Sequence, residues 1–420
     1  MAPPSASQSP PTGWTRTFRA LRHRNFRLFI SGYVISLVGT WMQSLAQGWL
    51  VYRLTHSGFL LGVTMFCTHI PVLLLGPVAG VVADRYPRYR ILVTAQCLFL
   101  LQAATLATLT LTGRVTVTHV VILATLWGVI NAFEIPARQS LYVHMVGQED
   151  LLNAIALNSV VFNAARIVGP SMGGVLVAAL GEGYCFLLNS FTFLAVIGSL
   201  LAITVRQEPG AHLDSPWGHL REGFEFAWRT KPVRALLGAT AAVNIAGAPA
   251  LVLAPLFADA IFGRGSRGLG FLSGAMGVGA VFGTLALARR SGTRGLPQVV
   301  VLSSLTMSAG LAVFAGSPMF AVSLASVALI GFSVMRQNAS ANTLLQSLIT
   351  DAYRGRIMAL YSMTVVGMLP VGSLLAGALS ERVGARWTVF CGASFCLLSA
   401  LFFRRDVARI HQAATPEATA

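Results

Sequence analysis

The apolar residues of this chain are gathered into runs near the roughly 20 residues that an α-helix needs to cross about 30 Å of hydrocarbon. Twelve such runs are read, beginning near Phe26, Gly58, Ile91, Val117, Leu151 and Tyr184, and again near Val233, Gly268, Val299, Phe320, Arg356 and Trp387. Inside a bilayer every backbone N–H and C=O must find its partner within the protein, so each run is expected to be a spanning helix. The predicted fold is an all-α integral membrane protein: twelve transmembrane helices in two pseudo-symmetric six-helix bundles. Composition agrees, with 55% hydrophobic and only 10% charged residues, against about a quarter charged in soluble domains. The first run follows an arginine-rich start without the features of a cleaved secretory signal.

A net charge of +16 raises the question of nucleic acid. The arrangement of the charge answers it. Arginines crowd alternate connections: Arg16 to Arg27; Arg85, Arg88 and Arg90; Arg206 to Arg234; Arg289, Arg290 and Arg294; Arg354 and Arg356; Arg404, Arg405 and Arg409. The connections between carry only Arg53, Arg114, Arg264, Arg267, Arg382 and Arg386. This follows the positive-inside rule and predicts cytoplasmic termini in a bacterial inner or cytoplasmic membrane. The basic charge is topology, and the expected surroundings are lipid rather than nucleic acid. Cys67, Cys97, Cys185, Cys391 and Cys396 all lie in apolar runs and are odd in number. They read as small hydrophobes, without metal spacing or a disulfide framework. No phosphate-binding loop, metal cluster or nucleophile motif points to an enzyme or to a cofactor.

The chain divides into an N-terminal tail (1–24), a first bundle (25–205), a linker (206–232), a second bundle (233–405) and a C-terminal tail (406–420). Residues 1–14 and 411–420 are polar and are expected to be disordered. In the linker, Trp217, Leu220, Phe224 and Trp228 recur at helical spacing, predicting an amphipathic helix on the membrane face. The bundles read as copies. At a constant ungapped offset of 203, Gly76, Gly80, Gly128, Gly169 and Gly174 meet Gly279, Gly283, Gly331, Gly372 and Gly377, while Ala156, Leu157 and Ser159 meet Ala359, Leu360 and Ser362. Two six-helix repeats around a midplane site is a transporter architecture.

Between runs two and three stands GPVAGVVADRYPRYR, residues 76–90, where Gly76 and Gly80 are expected to let helices approach closely. Gly80, Asp84, Arg85 and Arg88 resemble the loop motif of the major facilitator superfamily, with Pro87 in place of the usual glycine and Tyr89 inside the basic pair. The resemblance implies that Asp84 is a conformational latch between the halves. A carboxylate docked at a helix N-terminus is stabilised, and the eleventh helix, beginning near Asp351–Arg356, offers that end. The second copy carries Leu287 opposite Asp84, so such a latch is asymmetric. In run five, Gly169, Pro170, Gly173 and Gly174 of ARIVGPSMGG are similar to the fifth-helix antiporter motif of drug/proton exporters; generic helix packing is the alternative. With NFRLFISGYVISLVGTWMQSLAQGWLVYRLTHS (25–57), PARQSL (136–141), LREGFEFAWRTKPVRALL (220–237) and DAYRGRIMALYS (351–362), the chain resembles the drug:H+ antiporter-3 branch, which includes macrolide and enterobactin exporters. The implied function is export by alternating access, with protons as the counter-ion, no cofactor, and a monomer. An importer or lysolipid flippase on the same fold is the alternative. A non-transporting sensor or scaffold is the alternative of another class.

Among 14 acidic residues, Glu134 alone falls deep in a span. Asn131, Glu134 and Arg138 share one helical face by their spacing. Arg166 and Arg336 fall near mid-depth in runs five and ten, so the four ionisable groups are expected to converge on a polar cavity. Helices one, four, seven and ten line that cavity in the superfamily, which implies Glu134, Arg138 and Arg336 there. The expectation is that Glu134 couples protons: a substrate that displaces its arginine would favour the protonated carboxyl. A structural ion pair is the plainer reading. Three arginines against one glutamate favour anionic or neutral substrates. Gln43 and Gln47 in run one, Asn244 in run seven and Gln337 in run ten could orient substrate or bond between helices. Phe29, Tyr33, Trp41 and Trp49 read as lipid-facing or packing residues.

Overall fold

The computed structural model describes residues 18–204, 216–290, 292–293 and 295–414, without the side chains of 84, 216–221, 351–352 and 411–414. Among the described residues, twelve helices are long and apolar enough to cross a membrane. They are α1 (Arg24–Thr55), α2 (Gly58–Arg85), α3 (Arg88–Leu111), α4 (Val117–Val146), α5 (Leu151–Leu180), α6 (Glu182–Leu201), α7 (Lys231–Val252), α8 (Gly265–Ala288), α9 (Leu296–Gly316), α10 (Phe320–Leu348), α11 (Asp351–Val383) and α12 (Ala385–Arg404). α7 runs on through Ala254–Leu256 and a π-turn at Phe257–Ile261. Most helices begin two to five residues before the apolar runs, because backbone hydrogen bonding continues into the polar ends.

Start and stop signals are legible in the residues. The Ser57 hydroxyl caps α2 by accepting from Leu60 N–H at 3.2 Å, and Thr116 caps α4 with His119 as its reciprocal partner. Gly181 separates α5 from α6 with φ 88°, and Gly384 separates α11 from α12 with φ 82°. Both take left-handed backbone that side chains disfavour. They stand 203 apart, so the repeat offset is written into chain geometry as well as sequence.

The packing repeats too. In the first half α1 packs on α5 and α6, α2 on α4, and α3 on α4 and α6. In the second half α7 packs on α11 and α12, α8 on α10, and α9 on α10 and α12. The halves meet through α2 with α11 and α5 with α8, themselves an equivalent pair. Gly128 approaches the Thr68 carbonyl of α2, and its counterpart Gly331 approaches the Met276 carbonyl of α8.

Both described ends of the chain lie at one face of the bundle, here the terminal face. There Asp150, in the α4–α5 turn, gathers Arg19, Arg22 and His23. The linker forms a helix at Pro216–Arg229. Phe224 and Trp228 are exposed on it and stack, as the amphipathic pattern requires, while the Trp217 and Leu220 side chains lie outside the described residues. Its other face docks on α11: Phe226 stacks on Tyr353, and Glu222 pairs with Arg356 at 2.7 Å. The C-terminal tail differs from expectation in part. Val407–Ala414 is helical and buries Ile410 against the second half, because its apolar residues have a hydrophobic partner. The rest of the predicted disorder, 1–14 and 415–420, lies outside the described residues.

Candidate functional site

α4 is unbroken from Val117 to Val146 although Pro136 lies inside it. Glu134, Arg138 and Tyr142 are successive i, i+4 positions on one face of this helix. Glu134 is 4% exposed and lies roughly 18 Å along the helix from its terminal-face end. Arg138 donates from Nε to Glu134 Oε1 at 2.8 Å and from Nη1 to the Tyr142 hydroxyl at 3.0 Å. Tyr142 in turn donates to Asn158 Oδ1 of α5 at 2.8 Å. The guanidinium carbon of Arg138 stands 5.0 Å from the ring centroid of Tyr33 on α1. Tyr33 stacks on Phe29, which meets Tyr142 edge-on.

The result is a mostly buried ion pair on α4, tied through Arg138 and Tyr142 to α1 and α5. A carboxylate so far from water is tolerated because its charge is met at hydrogen-bond distance. Losing the arginine would leave an uncompensated buried charge, which a proton can neutralise. Tyr33, which reads from sequence as a lipid-facing or packing residue, packs in the first-half core and also faces Arg138. Tyr142 could have been found as the next i+4 position after Arg138. Tyr33 and Asn158, on other helices, could not. His69, deep in α2 with Nδ1 3.0 Å from the Met65 carbonyl, is a further titratable group inside a span.

The four predicted ionisable groups do not converge as contacts. Only Glu134 and Arg138 meet. Arg166 lies over the Trp41 ring at 5.9 Å and Arg336 over the Phe332 ring at 5.6 Å, neither with a carboxylate partner among the described residues. Arg336 is within electrostatic reach of Arg290, beyond the terminal-face end of α8. Helical spacing fixes only residues on one helix; the relative rotation of α4, α5 and α10 sends the other arginines to separate aromatic neighbours.

The polar candidates differ in how far they are engaged. Gln43 is 3% exposed; it donates to Gln102 of α3 at 3.0 Å and accepts from Asn189 of α6 at 2.8 Å. It is therefore a bond between helices. Asn244 donates to the Thr240 carbonyl at 2.8 Å and to Asn338 of α10 at 3.3 Å. Gln337 is fully buried, with neither amide atom partnered among the described residues, one turn from Ser333, which meets Thr306 of α9. It faces α9. Asn131 and Gln47 are half-buried, and neither side chain makes a hydrogen bond among the described residues.

The glycine-rich stretch of α5 sits at two crossings. A Cβ at Gly169 would stand 2.5 Å from Trp41 Cβ, and one at Gly173 would stand 3.2 Å from the Met42 carbonyl oxygen, both on α1. One at Gly174 would meet the Ser266 carbonyl oxygen of α8 at 2.6 Å, across the halves. Pro170 is buried between them.

The predicted close approach at Gly76 and Gly80 is not seen: nothing lies within 4 Å of a Cβ built there, among the described residues. Their repeat partners Gly279 and Gly283 do meet backbone, at the carbonyls of Ala328 and Phe332. The reason is the state of the molecule. α2 and α11 touch over their far-face ends, from Gly58 on Ser380 and Gly62 on Gly377 to Leu73 on Gly367. α5 and α8 touch likewise, from Gly174 on Gly270 to Arg166 and Ile167 on Gly277. Tyr52 of α1 donates to Asp259 beyond α7 at 3.1 Å. The halves are thus joined at the far face, while Gly76 and Gly80 lie past the last of these contacts. Of the predicted latch, the Asp84 side chain lies outside the described residues. Arg85 is exposed, and Arg88 reaches the Ala83 carbonyl and His144 of α4.

Comparison with known proteins supplies the rest. Residues 15–418 match the family described as transmembrane secretion effector. The staphyloferrin A transporter of Staphylococcus aureus is 24% identical over 382 residues, covering 90% of this chain and 95% of that protein. The enterobactin exporter EntS of Shigella flexneri is 26% identical over 373 residues, 89% of this chain and 88% of that one. The multidrug efflux pump Tap of Mycolicibacterium fortuitum is 26% identical over 364 residues, 83% of this chain and 88% of that one. In fold, the chain is similar to an inward-facing bacterial homologue of the human lysosomal transporter Spinster: TM-score 0.72 at 12% identity, over 95% of this chain and 99% of that one.

Proposed function

The chain belongs to the transmembrane secretion effector family of the major facilitator superfamily, a membrane transporter and not an enzyme, and from that premise we propose that it is a proton-coupled exporter of an anionic or neutral amphiphile. The names of its relatives, two siderophore transporters and a drug pump, support small-molecule efflux. The asymmetry of arginine between the two faces supports cytoplasmic termini. On that orientation the halves are closed towards the outside, and the cycle rocks them about a midplane site to open the other way.

The observation that carries the coupling is the buried Glu134–Arg138 pair, 2.8 Å between Nε and Oε1. A substrate anion that draws Arg138 away leaves Glu134 to take up a proton; substrate release lets Arg138 return and expel it. Proton occupancy and substrate binding are thereby linked through one guanidinium, which is what lets a proton gradient act on transport. Arg166, without a carboxylate partner among the described residues, adds to the positive potential that an anion would meet.

The test is transport in everted membrane vesicles. Glu134→Gln should still bind substrate but lose its response to an imposed proton gradient. Full proton-driven transport by that variant ends the assignment. Substrate class is tested in the same vesicles: ethidium, a permanent cation, should be carried weakly, and strong saturable proton-dependent ethidium efflux would reverse the charge argument.

A further inference from the structure

We propose that Glu381 is a far-face latch for the transport cycle, a carboxylate that holds the two halves together by capping the N-terminus of α2. Glu381 stands in the last turn of α11, in the second half. Its Oε1 accepts from the Ser57 hydroxyl at 2.6 Å and from the Phe59 backbone N–H at 3.1 Å, both in the first half. Ser57 is itself the N-cap of α2, so one oxygen engages the cap and an orphan N–H of the first turn together. A negative charge at that end also meets the positive end of the helix dipole.

The contact belongs to one state. It joins residues more than 300 positions apart across α2 and α11, which with α5 and α8 form the two antiparallel pairs through which the halves meet. Glu381 is exposed and borders an open cleft of about 510 Å³ between α2 and α11, lined by Phe59, Leu60, Ala378 and Arg382. Opening the far face must pull α11 from α2 and break both hydrogen bonds, so they contribute only to the closed state and set its population. Antiparallel pairing also makes the device two-ended. α2 carries Asp84 one residue from its terminal-face end, just as α11 carries Glu381 two residues from its far-face end, at the start of α2. Glu381 is the far-side counterpart of the loop-motif carboxylate, although no sequence repeat relates them: the offset of 203 brings Ala178, not an acid, to Glu381.

The proposal rests on the reading that the halves alternate between two openings, and the experiment separates the two. Native cysteines are replaced, and spin labels are placed at Thr112 and Met319, exposed far-face positions in opposite halves. Inter-label distances are measured in lipid nanodiscs by double electron–electron resonance. In the parent the short-distance population should dominate. Glu381→Ala and Glu381→Gln should shift the ratio of long to short distances roughly three- to thirtyfold towards long. Ser57→Ala should shift it less, since Phe59 N–H remains. Gly174→Val is the control, because its side chain collides with α8 backbone and forces the far face apart. If it lengthens the distance and the Glu381 variants do not, alternation stands and the latch is wrong. If no variant changes the distance, alternation itself fails and the latch with it.

Discussion

Arg138 lies with its guanidinium carbon 5.0 Å from the centroid of the Tyr33 ring, so the cation that neutralises Glu134 is also held by an aromatic face on a different helix. The carboxylate draws Arg138 along its own helix, and Tyr33 holds it against α1. A substrate that takes Arg138 must compete with both.

Tyr33 is therefore expected to tune how readily Arg138 leaves. A desolvated cation–aromatic contact is worth up to about 2 kcal/mol, or roughly thirtyfold in an equilibrium. Tyr33→Phe keeps the ring and should transport within about twofold of the parent. Tyr33→Leu should alter the apparent substrate affinity by roughly three- to thirtyfold at equal amounts of folded protein. Measurement of concentration-dependent efflux decides it; unchanged affinity in Tyr33→Leu would remove the ring from the mechanism.

Gln43 should behave in the opposite way. Both ends of its amide are bonded, to Gln102 and Asn189, and Gln102 also reaches the Leu123 carbonyl of α4 at 3.2 Å. Gln43→Leu strands two buried amides at a cost of about 1–3 kcal/mol. The expected outcome is a lower unfolding temperature in detergent with the substrate profile intact. A changed profile at unchanged stability would return Gln43 to the cavity.

These two residues show where the sequence was informative. The twelve spans, the duplication and the depth of Glu134 follow from apolar run length and the offset of 203, which are local or periodic properties of the chain. The Glu134–Arg138 pair follows from i, i+4 spacing alone. The neighbours of Tyr33, Gln43 and Gln337 are not legible in the sequence, because they depend on how each helix is rotated about its axis. All twelve helices are apolar nearly all round, so the amphipathic pattern that fixes rotation in a soluble protein is weak here. The far-face closure was invisible for a related reason: glycines at Gly62, Gly76, Gly80 and Gly174 look alike in sequence, and only the state of the molecule decides which are in contact.

Gly62 and Gly80 give opposing predictions on that account. A methyl at Gly62 would stand 2.5 Å from the Ser373 carbonyl oxygen and 3.1 Å from Gly377 Cα. Gly62→Ala should disfavour the closed far face. Gly80 has open space, so Gly80→Ala should leave the present state undisturbed and hinder the opposite one, in which α2 and α11 close at the terminal face. Thiol labelling of single cysteines at Thr112 and at Arg85 reads the two sides. Labelling that moves in the same direction for both variants would refute the assignment of these glycines to different states.

Asp150 makes the last prediction, on pH. It is 1% exposed at the terminal face, with Arg22 Nη2 and His23 Nε2 each 2.8 Å from Oδ2 and Arg19 Nε 3.3 Å from Oδ1. The hydrogen bond from His23 does most to hold its carboxyl below the ordinary value of 3.8; the charges of Arg19 and Arg22 act in the same sense, and burial opposes them. A carboxyl whose folded value is lowered stabilises the docked state at pH above its unfolded value and loses that contribution as pH falls through the folded one. The N-terminal segment should therefore stay docked through neutral and mildly acidic pH and come free only below about 3.8. The Ala20 N–H bond to Asn153 Oδ1, 2.9 Å long, should part with it. A spin label at Phe18 should report restricted motion at pH 7 and at pH 5, and rapid motion once the carboxyl is protonated. Asp150→Asn should give the rapid motion already at pH 7, because the amide keeps the shape but not the charge that Arg19 and Arg22 meet. Restricted motion in that variant would mean that packing of Ala20 and Phe26 in the first-half core, rather than the carboxylate, holds the segment down.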